Sequence, residues 1–142
     1  MYVSVHAVTG AATALTLEAA GVPAALAVGA SVLTHVILDA IPHHDYRTFP
    51  AAVVDLALAF GILQLLAASG WVTNTSMLWL GGFAGAAPDL EIIAVHWRAI
   101  SYARARFPSH TGRLPHPQLP FIPGILPPVL VAGLAMLVIR WV

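Results

Sequence analysis

The chain has 142 residues, 59% hydrophobic and only 8% charged, with six arginines, no lysine, six acids and a formal net charge of zero. Soluble domains carry roughly 25% charged residues, and one this short has too little interior to hide so much apolar surface. The composition therefore predicts one all-α domain, residues 1–142, that lives in lipid. Balanced charge leaves no nucleic-acid footprint, and the absence of cysteine removes disulfides, thiolate ligands and a cysteine nucleophile together.

Five apolar segments are expected as transmembrane helices: Val3 to Leu17, Val22 to Ile41, Pro50 to Ala68, Ser76 to about Trp97, and Ile122 to Val142. No cleavable signal is expected, because a basic leader is missing and His6 interrupts the first apolar run. Pro23 and Pro50 suit first helical turns, and Pro42 stops the second helix. In the fourth segment Gly81 and Gly85, then Gly82 and Ala86, recur at the small-xxx-small spacing that lets helices approach closely, including helices of a homo-oligomer. The connection from Arg98 to Phe121 holds four of the six arginines and four prolines. Its first half is expected to extend the fourth helix or to lie along the membrane surface. Pro123, Pro127 and Pro128 predict a bent start to the last helix. Arg47, Arg98, Arg104, Arg106 and Arg113 fall on one side of a five-helix arrangement and only Arg140 on the other. The positive-inside bias thus predicts a cytoplasmic N-terminus and a cytoplasmic Pro/Arg-rich loop between the last two helices.

The chemistry concentrates in Thr34-His35-Val36-Ile37-Leu38-Asp39-Ala40-Ile41-Pro42-His43-His44-Asp45, which contains three of the seven histidines and two of the six acids. His35 and Asp39 are four apart, so on a helix they share one face. Counted at ~1.5 Å per residue, all seven histidines and every acid except Glu18 come to about one level near the cytoplasmic boundary. Lone acids at membrane depth carry a penalty of roughly 2.5–3.5 kcal/mol each, and a divalent cation removes it. Imidazole and carboxylate together suit zinc foremost and manganese next, as one ion or as a pair ~3.5–4 Å apart. The expected ligands are His6, His35, Asp39, His43, Asp55 and Asp89. Asp45, Glu91 and His110 are expected to move protons, and Arg104, Arg106 and Arg113 to meet a substrate phosphate. His96 and His116 are expected behind the ligands or facing solvent.

The pieces His6-x-x-x-Gly10, Thr34-His35-Val36-Ile37-Leu38-Asp39, Pro88-Asp89-Leu90-Glu91 and His110-Thr111-Gly112 resemble fragments of the small membrane-bound metal-dependent hydrolases of the YdjM type. Here the His-x-x-x-Asp element precedes Pro-Asp, and Glu91 stands where that family has a second Asp. His-x-x-x-Asp on a helix is also similar to the zinc-dependent phospholipase C and nuclease group. The resemblance implies a multi-helix membrane protein with metal-dependent hydrolytic activity. Residues and resemblance together predict hydrolysis of a phosphoester or ester in a membrane lipid or lipid-linked substrate at the cytoplasmic face. Two alternatives remain: a divalent-cation or proton transporter, and a non-catalytic module that metal staples together.

Overall fold

The computed structural model describes residues 1–46 and 48–142, with the side chain of Tyr102 left out; Arg47, one of the arginines used for orientation, lies outside the described residues. The described residues are all-helical, with six α-helices among them in the order α1 (Val3–Ala19), α2 (Ala24–Asp39), α3 (Phe49–Ala68), α4 (Thr75–Ala86), α5 (Asp89–His96) and α6 (Phe121–Trp141). A single 3₁₀ turn, Tyr102–Arg104, interrupts the connection between α5 and α6.

Helix α1 is the central post. Small and β-branched residues let it approach several neighbours at once, and it packs on α2, α3, α4 and α6. Its closest approach is to α4: a Cβ on Gly85 would stand 2.4 Å from the His6 carbonyl oxygen, and one on Gly10 2.4 Å from the Gly81 carbonyl oxygen. The small-residue face expected to join helices is therefore used within the chain, between α1 and α4. Val8, Ala11, Ala14, Leu15, Leu63 and Leu78 fill the core around this contact.

Among the described residues only α3, with 20 residues, and α6, with 21, are each long and apolar enough to cross a membrane. The α4–α5 pair adds a third candidate if its 55° bend is counted within one span. Five spans were expected, but α1 has 17 residues and α2 only 16. The difference arises because Pro23 and Pro42 lie outside α2 rather than within its turns. The expected fourth segment breaks where Pro88 removes an amide donor, and α5 then ends at His96. Arg98 follows with a positive φ of 60°, so the helix does not continue into the arginine-rich connection.

The last helix contains Pro127 and Pro128 yet stays α-helical throughout. Pro128 cannot donate to the carbonyl of Gly124 one turn earlier. That carbonyl accepts instead from the His44 amide at 3.0 Å, so the freed acceptor is not left unsatisfied. The same stretch pairs with the connection before α6: the His43 amide donates to Pro117 (3.2 Å) and the Leu119 amide to His43 (2.7 Å). These bonds tie the segment after α2 to the proline-rich segment before α6, above the ends of α1 and α4.

Candidate metal centre

Asp39 is fully buried at the end of α2 and gathers polar groups from across the chain. Its Oδ1 lies 3.1 Å from His6 Nε2 and 2.8 Å from the Met1 amino group. Its Oδ2 lies 3.2 Å from His35 Nε2 and accepts from the Ser109 hydroxyl at 2.5 Å. His110 Nε2 and His116 Nδ1 stand slightly farther off, each 3.7 Å from the same oxygen. Asp89, the first residue of α5, stands near the same histidines. Its carboxylate lies 3.6 Å from His110, 3.7 Å from His35 and 3.8 Å from His6.

Two histidines carry the argument about what the cluster can bind. The ring nitrogen Nδ1 of His35 is 2.8 Å from the Gly85 carbonyl, and Nδ1 of His43 is 2.6 Å from the Ile41 carbonyl. A carbonyl only accepts, so each Nδ1 must carry the proton and each Nε2 presents a lone pair. Both Nε2 atoms are buried and make no well-aligned hydrogen bond, although each has a carboxylate oxygen close by: Asp39 at 3.2 Å and Asp45 at 2.9 Å. Lone pair against carboxylate is repulsive in a dry interior unless positive charge lies between them. The Met1 amino group brings positive charge to both carboxylates, 2.8 Å from Asp39 and 3.2 Å from Asp45, and a metal ion shared with the ring nitrogens would add to it.

Three groups of donors have the spacing to hold such a cation: His6 with His35 and Asp89, His35 with Asp39 and His110, and Asp39 with His43 and His116. They overlap through His35 and Asp39, so they form one continuous centre. The parallel ring stack of His6 on His35, with centroids 3.6 Å apart, sets the two imidazoles side by side. Glycine packing makes this possible, because the α1–α4 contact at Gly85 brings His6 to the level of α2.

Five of the six expected ligands come together here, and the sixth does not. Asp55 accepts from the Ser4 hydroxyl at 2.5 Å and from the Ser4 amide at 3.3 Å, and it belongs to none of the three groups. Its position on α3 turns it toward α1 rather than toward Asp39. Of the three groups expected to move protons, His110 sits among the ligands. Burial disfavours its charged form, but Asp89, Asp39 and Glu91 outweigh that and raise its pKa. Glu91 accepts from the amides of Arg106 and Phe107, clamping the connection onto α5 so that Ser109 and His110 reach the site. Asp45 meets His116 at 2.7 Å, His43 at 2.9 Å and the Met1 amine at 3.2 Å. Burial works against its ionised form, yet these partners hold its pKa far below the usual carboxylate range.

Ser109 and the Met1 amine were not expected from the sequence, and His116, expected behind the ligands or facing solvent, stands among the donors with Asp39 and His43. Adjacent prolines made His116 look like a loop residue, and only its approach to Asp39 and Asp45 marks it. His96 Nδ1 donates to Ile92 within its own helix at 2.9 Å. Arg104, Arg106 and Arg113 are exposed, and among the described residues no arginine pairs with an acid. The cluster opens into a cavity of about 440 Å³ whose wall includes Asp45, Tyr46, Asp89, His96, His110 and His116, but none of these arginines. Comparison of the chain with known protein families, curated proteins and solved structures finds no match.

Proposed function

We propose that the chain is a membrane-embedded, metal-dependent hydrolase acting on a phosphoester or ester of a lipid or lipid-linked molecule at the cytoplasmic face. The observation that carries this is the pair of carbonyl-anchored histidines, His35 and His43, each grouped with carboxylate and imidazole donors at metal-binding spacing beside an open cavity. Buried donors that need a cation could be purely structural, but a structural site is normally closed, whereas this one borders space for a ligand. The resemblance to the YdjM-type hydrolases points the same way.

Zinc or manganese held there would supply Lewis acidity to the ester and to water. The residues of the chain supply the rest. Asp39 and Asp89 hold the centre, and Ser109 keeps one Asp39 oxygen in place. His110 and Asp45, at the cavity wall, are placed to take a proton from water and return one to the leaving oxygen. In the net reaction the water oxygen bonds to phosphorus or acyl carbon, the ester bond breaks, and the departing oxygen leaves protonated. The exposed arginines of the α5–α6 connection serve orientation and attraction to anionic lipid.

Transport of the cation is the competing reading. The opposite end offers Glu18 as its one acid among the described residues, accepting from Asn74 at 2.6 Å, with Thr73 beside them in a cavity of about 280 Å³. Between the two ends lie the buried apolar residues Val8, Ala11, Ala14 and Leu78, which favours hydrolysis over passage. The test is turnover of fluorogenic phosphodiester and carboxyl-ester lipids by protein in nanodiscs, stripped with chelator and reloaded with zinc or manganese. Metal-dependent cleavage supports the proposal. Metal uptake into proteoliposomes without cleavage overturns it.

A further inference from the structure

Beside the polar cavity lies an apolar cleft of about 640 Å³, walled by Val54 and Leu58 of α3 and by Val129 and Ala132 of α6. Its two walls are the helices long and apolar enough to span a membrane. Both pack on α1, and the cleft lies between them. The only acid lining it, Asp55, already accepts twice from Ser4, so the wall offers no unsatisfied carboxylate to repel a hydrocarbon.

The cleft and the cavity share a wall residue. Met1 and Asp45 line the polar cavity, Tyr2 beside Met1 lines the cleft, and Tyr46 beside Asp45 lines both. The Tyr2 and Tyr46 rings stack with centroids 5.8 Å apart, forming an amphipathic threshold between the two spaces. A polar compartment rich in His and Asp side chains therefore adjoins, at one pair of tyrosines, an apolar slot between membrane-length helices.

We propose that the cleft holds the hydrocarbon chain of the same molecule whose headgroup occupies the cavity, so that the ligand is one amphiphile lying across the Tyr2–Tyr46 pair. The headgroup's chemical fate rests on the hydrolase reading above; its placement does not. An acyl chain gains no hydrophobic energy by leaving lipid for an equally apolar slot. What the cleft supplies is position: the chain stays in apolar surroundings while the head reaches the histidines and acids. A helix from a partner or a second copy could cover the cleft, but its backbone would send no headgroup into the adjoining cavity.

The experiment uses nanodiscs containing a trace of phospholipid with a photoactivatable diazirine midway along one acyl chain. After irradiation, labelled residues are mapped by mass spectrometry. Labelling is expected to concentrate at Val54, Leu58, Val129 and Ala132. It should be weaker at Leu65 and Leu137, which are exposed on the same helices but outside the cleft. Filling the cleft by Ala51→Phe, or separately by Ala132→Phe, should abolish that preference with metal content unchanged, and should lower kcat/KM by about tenfold or more through misplacement of the head. Even labelling over both helices, or crosslinks between protein copies at the cleft, would overturn the proposal. Parental turnover retained in both filled variants would do so as well. Concentrated labelling in a protein that cleaves nothing would uphold the cleft and defeat only the hydrolase reading.

Discussion

His35 Nε2 lies 3.2 Å from Asp39 Oδ2, while its Nδ1 donates to the Gly85 carbonyl on another helix. The first contact lies within one helical turn, and the second depends on the packing of α4. Together they fix both the tautomer and the aim of the ring, which makes His35 a positioned donor rather than a polar residue at a helix end.

Protein purified without chelator is expected to carry at least one zinc, manganese, iron or nickel ion per chain. His35→Ala should remove it, whereas His96→Ala should not, because His96 donates within its own helix. Elemental analysis of the three proteins checks this; metal at background level in the parent would refute it.

Chelation is expected to lower the thermal midpoint in detergent or nanodiscs. A ligand present at about a hundred times its dissociation constant stabilises by roughly 2.7 kcal/mol, so the shift should be several degrees and recover on reloading. In Asp39→Asn, which loses the charge at the hub of the cluster, the midpoint should respond little to chelator or added metal.

Asp39→Asn should abolish cleavage of a phospholipid-like substrate, and Glu18→Gln should leave it near the parental rate. Asp39 contacts His6 and His35, whereas Glu18 pairs with Asn74 at the opposite end of the core. Equal impairment in both, with metal uptake and no cleavage in the parent, is the pattern of a transporter.

Gly85→Ala should destabilise the chain by about 1–3 kcal/mol, as overpacking does, and lower metal occupancy. The added carbon would meet the His6 carbonyl at 2.4 Å and Gly10 Cα at 2.9 Å, pushing α1 from α4 and His6 from the centre. Gly29→Ala, where nothing lies within 4 Å, should be neutral or stabilising by roughly 0.5–1 kcal/mol. Thermal unfolding of the two variants, with metal analysis, separates packing from helix propensity.

Orientation can be read from single cysteines. Ser109 is buried against Asp39, so the exposed Arg113 is the better reporter for the α5–α6 connection, with Thr73 for the far side. R113C is expected to resist an impermeant thiol reagent in intact cells while T73C reacts. Labelling of R113C from outside would invert the orientation.

Much of the centre is legible in the sequence because it depends on local periodicity and on depth. Four residues on one helix put His35 and Asp39 on one face in any environment. Pro88 marks the break that places Asp89 at the start of a new helix, and counting residues along each helix brings the histidines and acids to one level. Depth, however, says nothing of direction around a helix axis. Asp55 shares that level but faces Ser4, because the packing of α3 on α1 sets its azimuth. His116 lies in a proline-rich connection without periodicity, and it reaches Asp39 and Asp45 only because the segments around His43 and Gln118 pair. The number of membrane-length helices was likewise not a matter of hydropathy alone. Length enters as well: the turn around Gly21 and the stop before Pro42 leave α1 with 17 residues and α2 with 16. A sequence records that a residue avoids water without recording where its helix ends or whether lipid or another helix covers it.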